Sequence, residues 1–189
     1  TGGASRRAAT QLYAGARHVA PPASAFAALK DDGSVTTWGE FWSGVDSSSV
    51  SAELQSGVNQ IFSARYAFAA LKDDGSVITW GHSDNGGDSS SVVTQLQGGV
   101  SQIFSNEHAF AALKDDGSVV TWGDSDYGGD SSSVSAELQS GVSQIFSNQA
   151  AFAALKEDGS DVTWGLAFTG GDSSSVASQL QSGVDQMAS

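Results

Sequence analysis

The chain has 189 residues, no cysteine, and 21 Asp+Glu against 8 Lys+Arg for a formal net charge of −13. That charge excludes DNA or RNA as a direct partner, because nucleic-acid affinity rests on cationic contacts to phosphate, and it opposes binding to an anionic membrane surface. The missing cysteines exclude disulfides and thiolate metal sites, and direct membrane insertion is excluded because no apolar run approaches the ~20 residues of a spanning helix.

Residues 1–25 read as an N-terminal cap and a first leading strand, "ARHVAPP", which stops at Pro21 and Pro22 because neither can donate to a ladder. The chain starts at Thr1 with no visible signal peptide and so reads as a processed form or a segment of something longer; no feature assigns a compartment. From there the sequence repeats. Trp38, Trp80, Trp122 and Trp164 stand 42 residues apart, as do Phe26, Phe68, Phe110 and Phe152, and Leu29, Leu71, Leu113 and Leu155. Leu12, Leu54, Leu96, Leu138 and Leu180 form a fifth-copy series, each followed three residues later by glycine. Self-similarity at a constant period marks a repeat architecture, so residues 1–189 are expected to form one repeat domain.

Within a unit, a short leading strand comes first, as at Val100–Phe104 or Gly141–Ser147. The hairpin cores follow at 26–39, 68–81, 110–123 and 152–165, where two β-prone runs flank an acidic pair and a glycine such as Asp115-Asp116-Gly117. That turn chemistry signals a hairpin. Alternation sets Phe110 and Ala112 on one face and Ala111 and Leu113 on the other; both are apolar, so neighbours should cover the hairpin on both sides. The last segment, Asp130 to Gly141, predicts a helix of about two to three turns, capped by Asp130 and ended by Gly141, with a fourth strand as the competing reading. Residues 172–189 read as a C-terminal cap.

The run "ALKDDGSVVTWGDSDYGG" resembles the repeat of the regulator of chromosome condensation family, and Leu29–Gly39, Leu71–Gly81, Leu113–Gly123 and Leu155–Gly165 all match it. The resemblance implies propeller-like packing. Family units are usually near fifty residues and close into a seven-bladed ring, whereas here four shorter units carry a helix in place of the fourth strand. In the last unit Asp161 replaces Val35, Val77 and Val119, which places that strand end in water. The expected fold is mainly β with short helices. It comprises four tandem 42-residue repeats, each a three-stranded antiparallel unit plus a short helix or fourth strand, stacked as an open curved array or a closed propeller-like ring.

No catalytic or metal constellation emerges, and no cofactor is expected. Counting a calcium loop from Asp124 puts Ser135 where a bidentate glutamate belongs, while Asp46, Asp88, Asp130 and Asp172 recur where a helix cap belongs. The pairs Asp31-Asp32, Asp73-Asp74 and Asp115-Asp116 repeat identically and read as turns. His18, His82 and His108 occupy different repeat positions and make no ligand set. The serine triplets lack a nucleophile elbow.

Positions that vary between units are the informative ones, since a shared scaffold explains the rest. After each Trp-Gly lie Glu40-Phe41-Trp42, His82 to Asn85, Asp124 to Tyr127 and Leu166-Ala167-Phe168. Candidate partner-binding residues are Phe41, Trp42, His82, Asp84, Tyr127 and Phe168, because aromatics anchor interfaces; the alternative is that each folds back over its own unit. A more polar second set comprises Ala64 to Tyr66, Asn106 to His108 and Asn148 to Ala150. These features predict a non-enzymatic protein-interaction or structural module, an accessory subunit of a larger assembly. The alternatives are an extracellular adhesin, glycan binder or filament-forming unit that self-associates through terminal strand edges, and a nucleotide-exchange factor for a small GTPase, which fold analogy alone supports.

Overall fold

The computed structural model describes residues 16–20 as backbone, and residues 25–40 and 45–184 with their side chains. Its strands are β1 (Ala16–Ala20), β2 (Ala25–Lys30), β3 (Val35–Gly39), β4 (Val58–Ser63), β5 (Ala67–Lys72), β6 (Val77–Gly81), β7 (Val100–Ser105), β8 (Ala109–Lys114), β9 (Val119–Gly123), β10 (Val142–Ser147), β11 (Ala151–Lys156) and β12 (Asp161–Gly165). They form four separate three-stranded sheets, I to IV in chain order, each with its middle strand antiparallel to both neighbours. The leading strands β1, β4, β7 and β10 touch one another in succession, and the third strands are held instead by the linkers. No strand joins the first sheet to the last, so the described residues form an open array.

The hairpin turns form as their residues dictate. In sheet III the Gly117 N–H donates to the Lys114 carbonyl at 3.0 Å, and the Lys114 N–H to the Ser118 carbonyl at 2.9 Å. Gly117 has φ +75°, and a Cβ there would lie 2.8 Å from the backbone nitrogen of Gly141, so conformation and crowding both demand glycine. The close approach is used. The carbonyl of Gly117 accepts from Val142 N–H at 3.0 Å, stitching the turn to the next leading strand, and Glu157 N–H, in the turn of that next sheet, donates to the Gly141 carbonyl at 2.8 Å. The Asp116 carboxylate accepts from both the N–H and hydroxyl of Ser118, at 3.0 and 2.6 Å, and the same pattern recurs at Asp32, Asp74 and Asp158.

Packing between sheets follows one rule. Cross-strand partners Phe110 and Trp122 stack at 5.3 Å and 13°, and seat on Ala67, Ala69 and Leu71 of the preceding sheet. Phe68 and Trp80 likewise seat on Ala25, Ala27 and Leu29, and Phe152 and Trp164 on Ala109, Ala111 and Leu113. Each sheet therefore has an aromatic front and an alanine back. Both faces of the interior middle strands, β5 and β8, are covered, as the apolar alternation of Phe110–Leu113 predicts.

Two features of the sequence reading need refinement. The Asp130–Gly141 segment is not one helix but two 3-10 turns, Ser132–Val134 and Glu137–Gln139, and no fourth strand forms among the described residues. Serine-rich stretches this short cannot offset helix nucleation, and single 3-10 turns suffice to bury Leu138. The N-cap of the first turn is Ser131 rather than Asp130, which stands one residue ahead and accepts from Ser132 N–H at 2.8 Å. Asp161, expected in water, is only half exposed; its Oδ1 is buried without a hydrogen-bond partner, and desolvation raises its pKa.

Equivalent phenylalanines now differ in burial, which yields a stability prediction. Phe110 is fully buried and Phe26 is 38% exposed. Phe110→Ala should cost about 3–5 kcal/mol and Phe26→Ala about 1 kcal/mol, read as shifts of the urea midpoint. A second prediction concerns acid. Serine donors hold Asp32, Asp74, Asp116 and Asp158 below the usual carboxylate range. A depressed folded-state pKa gives stability that is present above the ordinary value of about 3.9 and lost as pH falls through the folded value. The melting temperature should therefore drop below about pH 4, and replacing all four aspartates by asparagine should flatten that drop.

Candidate interaction surface

Strand direction decides where the variable segments lie. In each sheet the leading strand ends, and the third strand ends, at the start of the middle strand; Ser105 pairs with Phe110 and Ala109 with Gly123. The two variable sets, separate in sequence, thus share one end of the sheets. Backbone bonds join them: His82 N–H to the Tyr66 carbonyl at 2.8 Å, Asp124 N–H to His108 at 3.0 Å, and Leu166 N–H to Ala150 at 3.0 Å. The opposite end carries the uniform acidic turns.

The loops after the second, third and fourth Trp-Gly are single 3-10 turns, Ser83–Asn85, Ser125–Tyr127 and Ala167–Thr169, each ended by a left-handed glycine. Gly86 and Gly128 press against the aromatic front of the next sheet, whereas Gly170, after the last sheet, meets only Asn148 Nδ2 at 3.7 Å. A Cβ on Gly86 would fall 2.6 Å from the Phe110 ring, and Trp122 Nε1 donates to the Gly86 carbonyl at 3.1 Å. Trp164 does the same to Gly128. Core packing therefore fixes the Ser83–Asn85 and Ser125–Tyr127 loops.

Side chains pin them further. Asn106, buried, donates to the Tyr127 carbonyl at 2.7 Å while its own carbonyl accepts from His108 and Ala109 N–H. Asn148 repeats this with Thr169, Ala150 and Ala151. Asn85 donates to His108 Nδ1 at 2.6 Å, and His108 lies against Tyr127 with ring centroids 4.2 Å apart. An amide NH2 can only donate, so Nδ1 accepts and the ring proton sits on Nε2, 3.7 Å from the Glu107 carboxylate. Units are linked along the same end by Arg65 N–H to the Glu107 carbonyl (2.8 Å), Glu107 N–H to Gln149 (3.3 Å) and Gln149 Nε2 to Glu107 Oε1 (2.8 Å).

Of the sequence-derived candidates, Phe41 and Trp42 lie outside the described residues. His82 and Asp84 are exposed. Tyr127 folds back, half buried against the core between sheets III and IV. Phe168 stands 85% exposed. The split follows position: the last residue of each 3-10 turn (Asn85, Tyr127, Thr169) turns inward and the middle one (Asp84, Asp126, Phe168) outward. Sequence reasoning gave the second set less weight and missed Asn106, His108 and Glu107 as its connection to the first; counting strand directions would have joined them. Among the described residues no three His, Asp or Glu side chains are grouped to hold a metal ion, and no helix is long and apolar enough to cross a membrane.

No family model and no curated protein matches the sequence. Solved structures do. Yeast RCC1 (Prp20), crystallised with Kap60, is 16% identical, with a TM-score of 0.54 over 80% of this chain and 44% of that one. The ectodomain of the Physcomitrella patens receptor kinase CR4 is 14% identical, with a TM-score of 0.52 over 79% of this chain and 38% of that one. The chain thus spans less than half the length of these proteins. What they share with it is the propeller-type repeat fold.

The clamping role of Asn106 is testable. Asn106→Ala should cost about 1–3 kcal/mol, since it leaves buried backbone groups unpaired. It should also speed amide exchange at His108 and Ala109, with Ala27 in the distant sheet I as the unaffected reference.

Proposed function

We propose that the chain is a non-enzymatic protein-binding scaffold, and that the variable end of its sheets docks a protein partner. The observation that carries this reading is Phe168, a phenylalanine 85% exposed on a loop whose backbone is held from both sides. A large apolar side chain on a rigid support loses little entropy on docking, which is what makes an anchor residue. Asp84 and Asp126 occupy the equivalent outward positions in the two preceding units. The described row therefore reads acid, acid, aromatic. It fits a partner with basic side chains beside an apolar socket, and the net charge of −13 would draw such a partner in.

The fold relatives are consistent with this class of function. Yeast RCC1 (Prp20) was crystallised with Kap60, and binding properties to Gsp1p and histones are described for it. An accessory or structural subunit of a larger assembly is the setting in which such a scaffold would act. Replacing Trp42 and Phe168 together by alanine should lower capture of the native partner by roughly tenfold or more with the circular dichroism spectrum unchanged. Asp73→Asn, at the far end, should leave capture intact. Equal capture by the double variant and the wild type would refute the placement.

A further inference from the structure

Every internal interface seats an aromatic front on an alanine back, so four sheets leave one of each unmatched. On sheet I, Phe26 and Trp38 stack at 5.2 Å and 16°, as the interior pairs do. Yet Phe26 is 38% exposed against 0%, 0% and 1% for Phe68, Phe110 and Phe152, and Trp38 is half exposed where its counterparts are buried. On sheet IV, Ala153 and Leu155 are half exposed while Ala27, Ala69, Ala111 and Leu29, Leu71, Leu113 are buried.

The back of sheet IV is furnished like an interior interface. Asp161 N–H donates to the Leu180 carbonyl at 3.0 Å, as Val77 does to Leu96 at 2.9 Å. Val184 N–H donates to Gly159 at 3.0 Å, as Val100 does to Gly75. Leu180 and Val184 thus hold the places of Leu96 and Val100, but both are half exposed because no aromatic front covers them.

We propose that this back face receives the Phe26–Trp38 front of a second copy of the chain, and that two copies joined reciprocally close an eight-sheet ring. The interface is heterologous, so it closes if the rotation permits and otherwise propagates; eight sheets lie within the range of about four to eight for propellers. At each junction Val184 and the incoming Ala16 are equivalent positions, so one leading strand or the other pairs with the incoming β2. This contact is face to face and distinct from pairing through strand edges.

Two departures from the repeat set its strength. Thr36, on the front of sheet I, stands where Ile78, Val120 and Val162 stand, and Asp161, on the back of sheet IV, where Val35, Val77 and Val119 stand. Each puts a polar group at a position that is apolar at every internal interface, and docking must desolvate both.

Sedimentation velocity on the full chain tests the pairing. The wild type should exchange between one chain of 19.2 kDa and twice that mass as concentration rises. Thr36→Val with Asp161→Val should tighten the dimer by roughly tenfold or more. Phe26→Lys and Ala153→Arg should each leave only monomer with an unchanged circular dichroism spectrum, while their mixture restores a one-to-one pair, since each retains one intact face. A wild-type monomer beside a dimeric T36V/D161V chain supports the pairing and makes the polar residues its block. A ladder of masses abolished by both charge variants overturns the ring in favour of an open stack. A monomeric T36V/D161V chain, or an oligomer that survives both charge variants, overturns the proposal.

Discussion

A stacked Phe–Trp pair seated on an alanine floor is the contact on which this array depends. Each pair sits at ring separations of 5.1 to 5.4 Å in sheets II to IV, and aromatic pairs in offset stacking add to the energy of area burial alone. The floor must be flat, because a larger residue at Ala69 or Ala111 would push the next pair away. Alanine runs that look poor as core formers are therefore one half of a large-to-small fit. In sheets III and IV the tryptophan contributes a second bond as well: the indole N–H of Trp122 or Trp164 finds the carbonyl of Gly86 or Gly128 in the loop of the preceding unit. One residue type thus couples the core of one unit to the surface loop of its neighbour.

That coupling divides the two ends of each sheet into different kinds of surface. At the turn end the residues are constrained several times over. Gly75, Gly117 and Gly159 need positive φ, their carbonyls hold the next leading strand, and Lys72, Lys114 and Lys156 reach the carbonyls of Glu53, Gln95 and Glu137. Those glycines and lysines cannot change without disturbing the neighbour. At the loop end the backbone is fixed by glycine and asparagine, and the outward side chains contribute nothing to the scaffold. Variation accumulates where it is free of structural cost, and recognition can be built only there.

The sheets, their turns and their two-sided burial were legible because a constant period and a period-2 alternation carry direct geometric meaning. Phe110, Ala112 and Trp122 fall together in one core cluster, Ala111 and Leu113 in the next, as alternation requires. The linker was less legible. Val134 and Leu138 are spaced for a helix, but leucine burial needs only a local turn, and the period alone does not tell α from two 3-10 turns. The loop aromatics were the hardest to read. Tyr127 and Phe168 look alike in sequence, yet they differ by one place within their turns. Tyr127 shares the inward place with Asn85 and lies under His108, whereas Phe168 shares the outward place with Asp84 and Asp126.

Near-identical units raise a difficulty that dissimilar domains avoid. If any aromatic front fits any alanine back, chain connectivity alone selects which sheets meet inside one molecule, and the terminal faces remain mates for one another. Repeat proteins usually meet this with polar caps. Here the terminal sheets keep Phe26, Trp38, Ala153 and Leu155 and alter single positions, Thr36 on one face and Asp161 on the other. A buried carboxylate oxygen without a partner destabilises the sheet that carries it, so Asp161 is costly where it stands. Its physical effect is to weaken a contact that the repeat would otherwise make as readily between molecules as within one. A graded interface of that kind, apolar except at single positions, is what a reversible assembly requires.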